Sequence, residues 1–209
     1  MGLFRTDLRD LSDERLMERI VAGDERAFGA LYDRYQRKLL AYFSRMLWND
    51  RERAQGFLQE LFTKIAQRPG SYDPARPFST WLYSVANNMC KNEYRREETR
   101  KAAVPYLRAG QDHVDAVHGD GVDRERFRER LDEELERLEP DHRATFVMRY
   151  HQDMAIKEIA QVFGISEGTV KSRLFYTVKK LAGRLGEFDT RNMGVTAAPA
   201  QRRNDDGTA

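Results

Sequence analysis

The stretch GTVKSRLFYTVKK (168–180) puts Thr169, Lys171, Ser172, Arg173, Phe175 and Tyr176 within eight positions. At helical spacing these side chains share one outward face, with Ser166 just ahead of them. Their chemistry suits duplex DNA. Lysine reaches guanine acceptors, hydroxyls pair with either kind of edge, and phenylalanine touches a thymine methyl. Cations nearer the rims would hold phosphates. A plain helical hairpin with a solvated charged face is the competing reading. A second constellation runs from Arg68 to Lys101, where Tyr72, Phe78, Trp81, Tyr83 and Tyr94 interleave with Arg68, Arg76, Lys91, Arg95, Arg96, Arg100 and Lys101. Aromatic platforms in a cationic groove are what single-stranded bases bind. Phe78, Trp81 and Leu82 are equally suited to a core.

Nothing in the chain is arranged for catalysis. It has no phosphate-binding glycine loop and no cluster of metal-ligand residues, so no catalytic residue, metal, cofactor or small-molecule substrate is expected. His113 and His118 stand in a stretch without periodicity; His142 and His151 stand on separate helical segments. The carboxylates interleave with arginines, as in DRERFRERLDEELER (123–137), which reads as a salt-bridged helix face. The single cysteine, Cys90, excludes an internal disulfide and lies in an apolar stripe. With no apolar signal core and no membrane-length apolar run, a cytoplasmic setting is expected. The formal charge of the 209 residues is only +2, so a nucleic-acid surface must come from local segregation of charge.

Helical periodicity dominates and alternating strand patterns are scarce, so the expected class is all-α. Ser12-Asp13-Glu14-Arg15 reads as a helix start, Asp24 is placed to cap a second, long helix, and a third spans about 50–67. The loop RPGSYDPARP (68–77) holds three prolines and a glycine. Ser79 is placed to cap the helix that follows. Residues 12–99 form an expected N-terminal bundle, 100–123 a flexible linker, 124–187 a C-terminal helix-turn-helix domain, and 188–209 a disordered tail. In the last domain Pro140 opens a helix. Gly164 takes the sharp turn, Ile165 plugs the corner and Ser166 caps the second helix. Val170, Leu174, Val178 and Leu181 are expected to face inward.

The wording of these segments adds a resemblance. EIAQVFGISEGTVKSRL resembles the C-terminal promoter-reading domain of bacterial RNA polymerase sigma factors. GDERAFGALYDRYQRKL and FSTWLYSVANNMCKNEYRR resemble the N-terminal domain of the same family. Both occur in the family's order, over about 13–100 and 125–186. No segment resembles the further domains of the large housekeeping members, so the likeness is to the small, two-domain extracytoplasmic-function group.

The resemblance implies two all-helical domains, binding to core RNA polymerase, and recognition of two promoter elements. The minus-thirty-five element would be read as duplex by Ser166, Thr169, Lys171, Ser172, Arg173, Phe175 and Tyr176. The minus-ten element would be read as a melted strand by Tyr72, Phe78, Asn87, Asn88, Lys91, Arg95 and Arg96. The polymerase would dock on FLQELF (57–62), through Phe57, Leu58, Gln59 and Glu60. An anti-sigma partner, in many members anchored in a membrane, is a further implication. Two positions depart from the family's habit: Gly56 where an acidic residue is common, and Tyr176 where an arginine is frequent. An operator-binding regulator independent of polymerase is the alternative function, and polymerase binding separates the two.

Overall fold

A computed structural model describes residues 7–103 and 122–188. Most of the expected linker and the expected tail lie outside the described residues. Eight α-helices and three short 3-10 turns make up the described chain, with no strand among them. The helices are α1 (Asp13–Val21), α2 (Glu25–Met46), α3 (Arg51–Gln67), α4 (Phe78–Ala103), α5 (Val122–Glu136), α6 (Pro140–Tyr150), α7 (Ile156–Phe163) and α8 (Glu167–Arg184).

Local sequence explains most helix starts. The Arg15 amide donates to Ser12 Oγ (3.3 Å) at the head of α1, and the Ala27 amide donates to Asp24 Oδ1 (3.3 Å) at α2. Asp50 accepts from the Arg53 amide (3.0 Å) at α3. Each cap satisfies at least one of the amides that a helix start leaves without an intrahelical partner, and Asp24 also takes the Arg26 amide (3.0 Å). Helix α4 is different. It starts at Phe78, so Ser79 lies inside the first turn rather than at the cap. The Phe78 amide instead donates to Glu14 Oε1 on α1 (3.2 Å). A distant carboxylate does there what the neighbouring serine was expected to do.

The core is built on apolar stripes. Leu31, Leu39, Tyr42, Phe43 and Met46 of α2 meet Ala54, Leu58, Leu61 and Ile65 of α3 and Leu82, Ala86 and Cys90 of α4, all buried. Burial also pushes the Cys90 thiol pKa upward, as suits a core residue. The turn from α2 to α3 holds Trp48 and Asn49 at φ 55° and 54°. This left-handed backbone is unfavourable by about 1–2 kcal/mol per non-glycine residue. Trp48 offsets it by packing edge-on against Tyr94, with ring centroids 5.2 Å apart.

The two helical halves pack against each other. One buried cluster runs from α1–α4 into Ala144, Val147, Met148, Met154, Ile159, Ala160, Val170 and Leu174. A smaller one joins Leu135, Leu138, Phe146, Leu181 and Leu185. Polar contacts cross the seam. Tyr83 Oη donates to Gln152 Oε1 (2.7 Å), and Ser84 Oγ lies 3.3 Å from the Val162 carbonyl oxygen. Lys91 Nζ sits 2.9 Å from Asp141 Oδ1.

Arg45 on α2 faces His151 and Asp132 at the same seam. Burial, and then Arg45, lower the His151 pKa from its usual 6.5, with Asp153 opposing. The folded ring therefore takes a proton less readily than the unfolded one. Its contribution to stability is full above 6.5 and is lost as pH falls through 6.5 toward the lower folded value. Asp132 acts in the opposite sense. Burial raises its pKa above 3.8, against Arg45 and Asn49, so its protonation favours the folded form at more acidic pH. The urea midpoint should fall between pH 7.5 and pH 5.5, and His151→Asn should flatten that fall. An equally steep fall in the variant would remove His151 as its cause.

Candidate nucleic-acid and polymerase interfaces

The α7–α8 corner is built as a helix-turn-helix. Glu158 Oε2 accepts from the Ala155 amide (2.7 Å), fixing the start of α7. Gly164 adopts φ 65°, where a side chain would be strained. The Ile165 amide then donates back to the Ala160 carbonyl (3.0 Å), closing the turn. Ser166 Oγ accepts from the Thr169 amide (3.1 Å) and starts α8.

Val170, Leu174, Thr177 and Leu181 are buried. The inward stripe therefore takes Thr177 where Val178 was expected. At 3.6 residues per turn position 177 lies about 20° around the helix from Val170, whereas position 178 lies about 80° from it. Thr177 Oγ1 lies 2.9 Å from His142 Nδ1, which satisfies its hydroxyl, and Val178 is exposed.

Ser166, Thr169, Lys171, Ser172, Phe175 and Tyr176 all lie exposed on the outer face of α8. Phe175 and Tyr176 are each 63% exposed, with ring centroids 5.4 Å apart. Two large aromatics left in water beside a lysine and two hydroxyls form a surface that the fold itself does not need. Arg173 is set apart from this group. It is half-buried, 3.4 Å from Asp141 Oδ2 and 5.3 Å from the centre of the Phe163 ring.

The minus-ten candidates divide into supports and exposed groups. Phe78 is fully buried, with its ring against Tyr35, Tyr72 and Trp81. Tyr72 is buried too, and its hydroxyl donates to the Arg76 carbonyl (2.7 Å), which pins the otherwise exposed 73–77 loop. Asn87 is buried and accepts from Tyr42 Oη at 3.3 Å. Asn88, Arg95 and Arg96 are exposed along one side of α4. Lys91 is half-buried at the seam between the halves.

On α3, Gln59 and Glu60 are exposed, and Glu60 pairs with Lys64 at 2.6 Å. Leu58 is buried in the core, and Phe57 packs edge-on against Phe43 at 5.6 Å. Gly56 is exposed, with nothing within 4 Å of where a Cβ would stand. No group of three His, Cys, Asp or Glu able to hold a metal occurs among the described residues. No described helix is long and apolar enough to cross a membrane.

The residue that sequence reasoning missed is Arg143. It is 3% exposed, and its Nε donates to the Leu135 carbonyl (2.8 Å). Its two terminal nitrogens donate to the Glu136 carbonyl and, at 3.4 Å, to the Met46 carbonyl. One guanidinium thus closes the C-terminal ends of α5 and α2 together. The available signal was an arginine opening the largely apolar run RATFVM (143–148).

Comparison with known proteins locates these surfaces in a larger group. Residues 31–100 match the family model for sigma-70 region 2, and residues 128–181 match that for sigma-70 region 4. The ECF RNA polymerase sigma factor SigL of Mycobacterium tuberculosis is 34% identical over 168 residues, which cover 80% of this chain and 90% of the relative. Among solved structures, the fold resembles CnrH in its complex with the cytosolic domain of CnrY. The TM-score there is 0.63 at 24% identity, covering 84% of this chain and 97% of the other. It also resembles the sigma factor RpoE of Bartonella quintana in complex with the anti-sigma factor NepR. That match has a TM-score of 0.57 at 16% identity, covering 74% and 95%.

Proposed function

The chain belongs to the extracytoplasmic-function RNA polymerase sigma factors, and on that premise we propose how its surfaces divide the work. As a member it binds core RNA polymerase, directs it to promoters for transcription initiation, and is not itself an enzyme. Membership also sets aside the operator-binding regulator.

Helix α8 reads the minus-thirty-five element as duplex through Ser166, Thr169, Lys171, Ser172, Phe175 and Tyr176, with Arg173 joining them when it is released from Asp141. The observation that carries this reading is the exposed Phe175–Tyr176 pair beside Lys171 on a capped helix-turn-helix. Its N-terminal half is the part of a recognition helix that meets base edges. Tyr176 supplies a hydroxyl donor where a charged fork is frequent in the family, which favours a phosphate or a single base contact over a bidentate one.

Asn88, Arg95 and Arg96, with Lys91, track the melted minus-ten strand along α4. The pinned 73–77 loop forms the wall beside it. Tyr72, Phe78 and Asn87 serve this site from beneath by holding the loop and helix in place. Gln59 and Glu60 carry the polymerase dock, backed by Phe57 and Leu58. An anti-sigma factor that covers these faces is the inhibitory partner, and the protein works in the cytoplasm. The RpoE–NepR complex supports the partner class.

Run-off transcription with core polymerase over a pool of genomic fragments tests the reading and yields the promoter sequence. Lys171→Ala should lower discrimination between cognate and mismatched upstream elements by about tenfold, within the ~1–3 kcal/mol of a good base contact. Its affinity for core polymerase should not change. Undiminished discrimination would take Lys171 off the reading face.

A further inference from the structure

We propose that Asp141 is an internal latch: its carboxylate holds one cation from each DNA-binding surface at once and keeps the free protein closed against DNA. Oδ1 lies 2.9 Å from Lys91 Nζ on α4. Oδ2 lies 3.4 Å from Arg173 Nη2 on α8. Both cations also sit over the ring of Phe163, at 5.4 and 5.3 Å from its centre. Four residues therefore form one cluster: an acid, an aromatic, and a base from each half of the chain. Arg173 Nη1 is buried there without a hydrogen-bond partner. A guanidinium left partly unsatisfied is only provisionally seated, because a phosphate would satisfy it better.

Asp141 is well placed to hold its ground. It is the second residue of α6, behind Pro140, where a carboxylate faces the positive end of the helix. Thr145 Oγ1 donates to its carbonyl at 2.6 Å, which ties the first turn together. The carboxylate is thus stabilised whether or not Lys91 is present, and the cations come to it. Elsewhere the seam is held by the buried apolar cluster that the two halves share, with Tyr83 to Gln152 and Ser84 to Val162 as its neutral polar contacts. These set the closed geometry, and the Asp141 cluster makes it compete with DNA.

The competition is direct. A phosphate can take Lys91 or Arg173 fully only after that cation leaves Asp141. The apparent DNA affinity of the free protein is therefore reduced by the fraction of molecules that are open. Core polymerase, by binding the two halves at separate places, would open the seam and free both cations in one step. Free protein would then not be lost to random genomic DNA. This inference rests on the assignment of Lys91 and Arg173 to DNA contacts.

The test uses the full chain. Small-angle scattering gives its radius of gyration, and fluorescence anisotropy gives its affinity for a mixed-sequence 30-base-pair duplex and a 30-nucleotide single strand. Asp141→Asn and Gln152→Ala are compared with the unaltered protein, and circular dichroism checks that each is folded. Gln152→Ala weakens the same seam, by removing the Tyr83 hydrogen bond, without changing charge. Both variants should expand and bind both probes about three- to tenfold more tightly. Tighter binding by Asp141→Asn alone, without expansion, would reduce Asp141 to simple repulsion of DNA. Expansion without tighter binding, or no change in either measurement, would also overturn the latch. Separately, wild-type transcription by Lys91→Ala and Arg173→Ala holoenzymes would remove the assignment on which the latch rests. Defective transcription by those two, with Asp141→Asn still compact, would remove the latch alone.

Discussion

Replacing Arg143 with methionine should cost the fold about 3–5 kcal/mol and lower the melting temperature on the order of 10 °C. Methionine retains much of the volume, so the loss comes from hydrogen bonding. The guanidinium serves the carbonyls of Leu135, Glu136 and Met46 from a site that is 3% exposed. Two of these belong to the last turn of α5, and the third is the last residue of α2. Helix C-termini carry carbonyls without intrahelical partners and the negative end of the dipole, so a buried cation suits both. It also lies 5.9 Å from the ring centres of Trp48 and Tyr94, which line the same corner. Without it the three carbonyls lose a charged donor. Urea unfolding of Arg143→Met and Arg143→Lys measures the effect, and lysine should recover part of it. A loss below about 1 kcal/mol for the methionine variant would mean that water replaces the guanidinium freely.

Reversing the charge at Glu60 should weaken binding to core polymerase at least about tenfold, because a like charge facing an interface is strongly unfavourable. The fold should not register the change. Glu60 is more than half exposed, and its pairing with Lys64 at 2.6 Å is an i,i+4 surface pair worth only a few tenths of a kcal/mol. Titration of labelled core enzyme with Glu60→Lys, beside a melting curve, separates the two effects. Normal core affinity would move the dock off Gln59 and Glu60. Leu58 is unsuited to the same test. It is 6% exposed and belongs to the core, so its truncation would destabilise the bundle before it touched the interface. Gly56 offers the complementary experiment, since a side chain there meets open space.

How far the sequence reached can be judged from individual residues. Asp24 and Ser166 are read correctly as caps because a cap is a contact within three residues. Gly164 is read correctly as the corner because a positive φ is a property of one residue. The outward face of α8 follows from periodicity, and five of its six chosen residues are exposed, Arg173 being half-buried. Ser79 as a cap fails because the competing acceptor, Glu14, is 64 residues away. Val178 fails by one position, because two successive steps of four carry it about 80° around the helix from Val170 while Thr177 stays within about 20°.

By itself the sequence determined the all-helical class, the helix-turn-helix and its solvent-facing aromatics, and the family. Each rests on local spacing, which short-range sterics and hydrogen bonding convert directly into structure. Only the tertiary structure decided which polar groups are spoken for. Asn87 is taken by Tyr42, Lys91 and Arg173 by one aspartate, and three helix-end carbonyls by Arg143. Such pairings depend on where distant helices cross. A buried polar group accepts whatever partner the packing brings near, because remaining unpaired costs more than any local preference can return.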